Sequence, residues 1–169
     1  MLDRDTLFTF AEIAIALAGF SAIIGVLSSR RTAVDLRVNA LRLQVMLETC
    51  FMVAAASVAP ILIQHFGDDT EHLWQIAAAL FLCVAIPFEF IARARTKDMP
   101  KMTLTRLNVN SINWGLSLAA DLILVVVLLT LVGQHAQAFY LLALFLQLAV
   151  AGILFVQFAA ETFITRDPE

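Results

Sequence analysis

Five long runs of apolar residues dominate the chain, at positions 7–28, 43–66, 72–92, 112–132 and 138–160. A helix needs about 20 apolar residues to cross a hydrocarbon core ~30 Å thick, and each run reaches that length. Lipid offers no partner for the backbone N–H and C=O groups of an open strand, so each run must be helical. A β-barrel is excluded because its strands alternate polar and apolar residues, whereas residues 122–129 are all apolar. The pattern predicts an all-α integral membrane bundle of five transmembrane helices.

The composition agrees with a chain that is solvated mostly by lipid. Of its 169 residues, 61% are hydrophobic and 15% are charged, and the mean hydropathy is +0.87. A soluble domain carries about 25% charged residues, so an ordinary cytosolic enzyme is excluded. The net charge of −3 provides no basic field, and we therefore expect no nucleic-acid partner.

The segments between the runs leave no room for a soluble catalytic domain. The longest of them, residues 93–111, is far shorter than the about 50 residues that a small domain needs. The sequence contains no GxGxxG, P-loop, HExxH or GxSxG pattern. We therefore expect a single membrane domain over residues 1–169 that is not an enzyme and that holds no cofactor and no metal.

The basic residues set the expected orientation. Arg4 falls on one side of the predicted membrane, and all the others fall on the opposite side: Arg30, Arg31, Arg37, Arg42, Arg93, Arg95, Lys97, Lys101, Arg106 and Arg166. The positive-inside rule then predicts an outside N-terminus and a cytoplasmic C-terminus, in a multi-pass protein of the plasma (inner) membrane. Trp74, Trp114 and Tyr140 fall at the edges of runs, where the aromatic belts of membrane proteins lie.

The second helix is predicted to begin well before its apolar run. Thr32 can cap a helix, and Asp35 then lies in the first turn, beside the positive end of the helix dipole. This pattern predicts a helix from about Ala33 to Phe66. Pro60 and Pro87 predict kinks in the second and third helices.

Ionisable residues inside a span are costly and are functional candidates by default. The charged residues within the runs are all acidic: Glu12, Glu48, Glu89 and Asp121. Asp121 lies near the midplane, about 14 Å into its run at 1.5 Å per residue. It ends a polar stripe on one helical face, formed by Asn110, Asn113, Ser117 and Asp121.

The polar stripe has two interpretations. It can be a water-accessible half-pathway that ends at a carboxylate and carries cations or protons. Alternatively, it can pack against neighbouring helices through hydrogen bonds, with Asp121 neutral. The turn between the last two runs is predicted near His135, which puts Asp121 and Gln147 at similar depth in an antiparallel hairpin. We expect these two side chains to hydrogen-bond or to line the same cavity.

The same depth comparison pairs Glu48 with Glu89 across the predicted hairpin of the second and third runs. Two carboxylates at one depth can share a proton or bind a cation. An alternative for Glu89 is a helical ion pair with Arg93, which lies four residues later.

Small residues in the first run form a ridge that allows close helix approach, made by Ala14, Ala18 and Ala22. Glu12 points to another face, which it shares with Ala16 and Gly19. In a homo-oligomer, copies of Glu12 would form a carboxylate ring of the kind that cation channels use. Alternatively, Glu12 is a single acid that is hydrogen-bonded within one subunit.

All three histidines, His65, His72 and His135, map to the predicted outer side. Together with Asp68, Asp69 and Glu71 they can bind a divalent metal or sense external pH. The alternative is that they are solvated ends of spans.

Two function classes follow from these residues. The first is a homo-oligomeric cation or proton channel in the lipid bilayer, with its ion pathway formed by Asp121, Glu48, Glu12, Asn113, Ser117 and Gln147. The second is a non-catalytic membrane subunit or sensor that acts through a partner protein bound to the basic cytoplasmic segments. A small transporter is disfavoured, because five spans cannot supply two equal inverted halves.

Overall fold

The computed structural model of the chain describes residues 4–27, 33–66, 72–97, 104–129 and 133–164. These residues contain five α-helices: α1 (Arg4–Leu27), α2 (Ala33–Phe66), α3 (Leu73–Lys97), α4 (Leu104–Leu128) and α5 (Ala136–Ile164). Each is long and apolar enough to cross a membrane, over Arg4–Val26, Leu43–Phe66, Leu73–Ala92, Ser111–Leu128 and, for α5 with the turn before it, Gly133–Ala160. The prediction of an all-α chain with five helices of membrane-spanning length is confirmed.

The contacts between helices show that α1 and α2 run antiparallel. Near the start of α1, Arg4 Nη2 donates to Gln64 Oε1 near the end of α2 at 3.0 Å. Towards the other end, Ser21 Oγ of α1 lies 3.5 Å from Met46 Sδ of α2. In the described part of the chain, α2 and α5 contact each other and both contact α1 and α3, whereas α4 packs against α3 and α5. The pair α2–α5 therefore forms the middle of the bundle.

One end of the bundle gathers the basic residues, and we call it the basic end. Helices α2 and α4 begin there, and α1, α3 and α5 end there. Its helical basic residues are Arg37, Arg42, Arg93, Arg95, Lys97 and Arg106, whereas Arg30, Arg31, Lys101 and Arg166 lie outside the described residues. Arg4 lies at the opposite end.

The early start of α2 is confirmed, since the helix begins at Ala33 and ends at Phe66. Its expected cap, Thr32, lies outside the described residues. The helix continues through Pro60, and α3 likewise continues through Pro87.

All five helices contribute to one apolar core, whose fully buried members include Leu7, Val53, Ala77, Leu124 and Leu144. The small-residue ridge of α1 packs as predicted at Ala14 and Ala18, which are buried, whereas Ala22 is exposed. Nearer the basic end, a Cβ atom placed on Gly25 would lie 2.6 Å from Leu43 Cδ2. Because glycine has no Cβ, the Leu43 side chain of α2 can pack directly on α1 at this point.

Helix α4 ends four residues earlier than its apolar run predicts. It stops at Leu128 rather than at residue 132, and Gly133 has φ of +49°, a conformation that glycine adopts readily. A short 3₁₀ helix, Gly133–His135, then leads into α5. With α4 ending at Leu128 and α5 beginning at Ala136, the midpoint between the two helices lies at position 132 rather than near His135, which changes their register.

Tyr140 lies in the core and not at a membrane-facing edge. Its side chain is 0% exposed, and its ring centroid lies 5.5 Å from that of Trp74 and 6.5 Å from that of Phe81. Its hydroxyl donates to the carbonyl oxygen of Ala56 at 2.8 Å. The prediction that Tyr140 belongs to an aromatic belt is therefore wrong, because a buried backbone acceptor on α2 satisfies its hydroxyl.

Candidate functional site

Three polar side chains from three helices are joined by hydrogen bonds inside the bundle. Gln147 Nε2 of α5 donates to Ser117 Oγ of α4 at 3.3 Å. Ser117 Oγ donates in turn to Glu89 Oε1 of α3. Gln147 is 1% exposed, and Ser117 and Glu89 are half-buried. We call Glu89, Ser117 and Gln147 the polar junction.

Two further polar residues of α4 flank the polar junction. Asn113 and Asp121 lie one turn to either side of Ser117, and residues four apart share a helical face. Asn113 is 8% exposed, and its Oδ1 is buried without a hydrogen-bond partner among the described residues. Asp121 is half-buried. The predicted polar stripe is thus continuous from Asn113 to Asp121, while the side chain of Asn110 lies outside the described part.

Gln147 donates a hydrogen bond to Ser117, which lies one helical turn from Asp121, the partner predicted from depth. The reason is the early end of α4. With the midpoint of the hairpin at position 132, Gln147 and Ser117 are equally far from the turn, so Gln147 lies level with Ser117 rather than with Asp121. Because Ser117 and Asp121 share a face of α4, a common cavity for Asp121 and Gln147 stays a prediction.

Glu48 and Glu89 have different partners. Gln44 Nε2 donates to Glu48 Oε1 at 2.8 Å, and Arg95 Nη1 of α3 lies 3.3 Å from the same oxygen. The side chains of Arg95 and Glu48 are 38% and 33% exposed, so water can reach this ion pair. Glu89 instead accepts from Ser117. The side chain of Arg93, the alternative partner of Glu89, lies outside the described part.

Glu12 lies apart from the polar junction. It is exposed on α1, together with Ala16 and Gly19, as the helical spacing predicts. In the described part of the chain, α1 contacts α2 and α5 and makes no contact with α3 or α4. A single continuous pathway through Glu12 and Asp121 within one subunit therefore has no support in the packing.

The three histidines lie at the end of the bundle opposite the basic end. His65 is at the end of α2, His72 immediately precedes α3, and His135 is in the 3₁₀ helix, and all three are exposed. Their predicted acidic neighbours, Asp68, Asp69 and Glu71, lie outside the described residues. Among the residues that the structure describes, no group of three or more His, Cys, Asp or Glu side chains is placed to hold a metal ion.

Sequence reasoning gave Glu89 too little weight. Its proximity to Arg93 along the helix suggested an ion pair, and its depth was compared with that of Glu48 rather than with that of Ser117. Glu89 lies three residues before the span end at Ala92, and Ser117 lies six residues after the span start at Ser111. The difference, about 5 Å along the helix axis, is within reach of a glutamate side chain.

Beyond Asp121, the same side of α4 becomes apolar. Leu124 and Val127 are 0% exposed and belong to the core. The arrangement therefore offers one carboxylate with a hydroxyl donor nearer the basic end, a second carboxylate near the middle of the apolar span of α4, and buried apolar residues beyond it. Such a site can accept a proton or a cation from one side, and it needs a rearrangement to release either to the other side.

Comparisons of the chain with protein-family models, with curated proteins and with solved structures give no match.

Proposed function

We propose that the protein is a homo-oligomeric channel that conducts a small cation, the proton included, through intramembrane carboxylates. The basic end faces the cytoplasm of a plasma (inner) membrane in this proposal, in keeping with the positive-inside rule. The observation that carries the proposal is the chain of hydrogen bonds from Gln147 through Ser117 to Glu89, with Asp121 one turn further along α4.

These groups have the chemistry that conduction needs. A carboxylate can accept and release a proton, and carboxylate, hydroxyl and amide oxygens can replace part of the hydration shell of a cation. Intramembrane acids are costly, which favours a functional reason for placing Glu89 and Asp121 in spans. The pathway proposed here runs within each subunit, along the face of α4 that contacts α3 and α5.

The apolar residues beyond Asp121 supply a gate in this proposal. Hydrophobic constrictions close pores by dewetting, so a small displacement that admits water can open them. Leu124 and Val127 are fully buried and lie three and six residues after Asp121 on the helix. Displacement of α4 against α5 would hydrate this segment and connect Asp121 to the opposite end.

Glu12 supports the assembly of several copies. An ionisable side chain that faces lipid is costly, and contact with a second copy would lower that cost. Ala16 and Gly19 are exposed beside it, and a Cβ atom on Gly19 would meet nothing within 4 Å. Small residues of this kind permit close packing of helices between subunits.

Reconstitution of the purified protein alone into liposomes tests the proposal. The wild-type protein is expected to dissipate an imposed proton or K⁺ gradient. Glu89→Gln, Ser117→Ala and Asp121→Asn are each expected to reduce the flux about tenfold or more, which corresponds to ~1.4 kcal/mol in the barrier. Ser57→Ala is the matched control for Ser117→Ala, since Ser57 is a buried serine whose hydroxyl donates to Val53 of its own helix.

Two outcomes would contradict the proposal. A correctly folded protein with no flux across pH and voltage favours the alternative function, a non-catalytic membrane subunit or sensor that acts through a partner protein. Flux that survives all three substitutions undiminished removes the polar junction and Asp121 from the pathway.

A further inference from the structure

We infer that the polar junction, together with Asn113, binds one monovalent metal cation, and that Na⁺ fits its donor set. The inference rests on the proposed conduction of cations and names the chemical class of the ion. It concerns a resting site at the basic half of the bundle, before the buried apolar residues beyond Asp121.

The donor atoms of the site are oxygens. Glu89 supplies a carboxylate, Ser117 a hydroxyl, and Asn113 and Gln147 each carry an amide carbonyl. Oxygen ligands suit hard cations, whereas thiolate and imidazole suit softer metals. The four residues come from three helices, and hydrogen bonds already hold Gln147, Ser117 and Glu89 together.

The side chain of Asn113 provides an independent reason to expect a bound cation. Its side chain is 8% exposed, and Oδ1 is buried without a hydrogen bond from the described residues. A buried carbonyl oxygen without a donor is energetically costly. Since Asn113 lies one turn from Ser117 on the same face of α4, a cation bound at the junction would satisfy this oxygen.

The charge of the site indicates a monovalent ion. Of the four donors, Glu89 is the one acidic group, and the other three are neutral. A single positive charge balances it, whereas a divalent ion would leave net charge in a poorly hydrated interior, which is costly. Asp121 is the next carboxylate along α4 and is placed to receive the ion from the site.

Thermal unfolding of the detergent-purified protein measures this binding without any flux. Unfolding is followed in NaCl and in N-methyl-D-glucamine chloride at constant ionic strength, with KCl and CaCl2 for comparison. A ligand that binds only the folded state stabilises it in a saturable way. We expect Tm to rise with Na⁺ by roughly 4 °C at ten times the half-saturating concentration, and CaCl2 to give a smaller rise.

Variants locate the site. Glu89→Gln and Asn113→Leu are expected to abolish the Na⁺-dependent rise in Tm, and Ser57→Ala is expected to retain it. If Glu89→Gln does not fold, Glu89→Asp keeps the charge with a shorter side chain and is expected to raise the half-saturating Na⁺ concentration about tenfold, ~1.4 kcal/mol. A wild-type Tm that does not respond to Na⁺, or an equal response in Glu89→Gln, overturns the inference.

Arg93 is the competing source of positive charge, because it lies four residues after Glu89 on α3. If Arg93 neutralises Glu89, the wild-type protein shows no response to Na⁺ and Arg93→Gln acquires one, which also overturns the inference. The channel proposal and the cation-site inference are tested by different measurements, so either can fail without the other. Proton flux without a Na⁺ response leaves the proposed channel standing without this site, whereas a Na⁺ response in a protein without flux leaves the site standing without the channel.

Discussion

The Tyr140 hydroxyl donates to the carbonyl oxygen of Ala56 at 2.8 Å. In an α-helix this carbonyl would accept from the N–H of residue 60, but Pro60 has no N–H. Tyr140 and Pro60 are both fully buried, so bulk water cannot replace the missing donor. A side chain of α5 thus satisfies the acceptor that proline leaves open in α2, and it joins the two helices at the middle of the bundle.

Removing this hydroxyl is expected to destabilise the protein only while Pro60 is present. Tyr140→Phe keeps the ring against Trp74 and Phe81 and should lower the free energy of unfolding by about 1–2 kcal/mol, since a buried carbonyl loses its donor. In the Pro60→Ala background the backbone N–H returns, and the same substitution should cost less than about 0.5 kcal/mol. Reversible unfolding in mixed micelles gives all four values of this double-mutant cycle. If Tyr140→Phe lowers the free energy of unfolding equally in the two backgrounds, the loss of stability does not come from the hydrogen bond to Ala56.

The close approach of α1 and α2 at Gly25 gives a second prediction. A Cβ atom there would lie 2.6 Å from Leu43 Cδ2, so Gly25→Ala forces the Leu43 side chain to move. Helix propensity alone favours Gly→Ala by about 0.5–1 kcal/mol. Gly152→Ala measures that gain without a clash, since a Cβ on Gly152 meets nothing within 4 Å. Because the contacted atom is the terminal methyl of a half-buried side chain that can move, Gly25→Ala should be less stable than Gly152→Ala by no more than about 1 kcal/mol, and adding Leu43→Ala should remove the difference. No difference between the two alanine variants would contradict the close approach.

The sequence predicts the helices well because their boundaries depend on local chemistry. Hydropathy locates five spans within a few residues, and the polar first turns of α2 are recognised before its apolar run begins. Apolar residues continue past the true end of α4, however, so hydropathy alone places the turn too late. Gly133, which adopts a positive φ, marks the turn better than the last apolar residue does.

Contacts between helices are less predictable, because they depend on register and on which backbone groups need partners. The midpoint of the α4–α5 turn lies about three residues earlier than predicted, and this moves the partner of Gln147 from Asp121 to Ser117. The position of Tyr140 follows from Pro60, which is far away in the sequence. The contact between Glu89 and Ser117 could be predicted only by comparing the depths of the two residues in their spans. The segment between α3 and α4 is too long for its length to fix the register of the two helices.

The hydrogen-bonded groups around Glu48 and around Glu89 should differ in their contribution to stability. The Glu48–Arg95 pair is about one-third exposed, so Glu48→Gln should lower the free energy of unfolding by less than about 1 kcal/mol, and by less still in high salt. Ser117→Ala removes both the donor to Glu89 and the acceptor of Gln147, and it should cost about 1–2 kcal/mol with little dependence on salt. Chemical unfolding in micelles at low and high NaCl separates the two cases. If Glu48→Gln lowers the free energy of unfolding by more than Ser117→Ala does, the ion pair contributes more than the polar junction to the packing of α3 against its neighbours.

Oxidative crosslinking tests whether α1 lies between subunits. A thiol introduced by Ala16→Cys, in a background of Cys50→Ala and Cys83→Ala, is expected to form disulfide-linked dimers in the membrane, because Ala16 shares the exposed face of Glu12. The native Cys83, kept alone by Cys50→Ala, is the control, since it is exposed on α3. Adding Gly19→Leu to the Ala16→Cys protein should reduce crosslinking several-fold, because the larger side chain fills the space that close helix packing needs. Equal crosslinking at Cys83 and at position 16 would show that the disulfides form by random collisions between monomers. Crosslinking at Cys83 alone would place the subunit interface on α3.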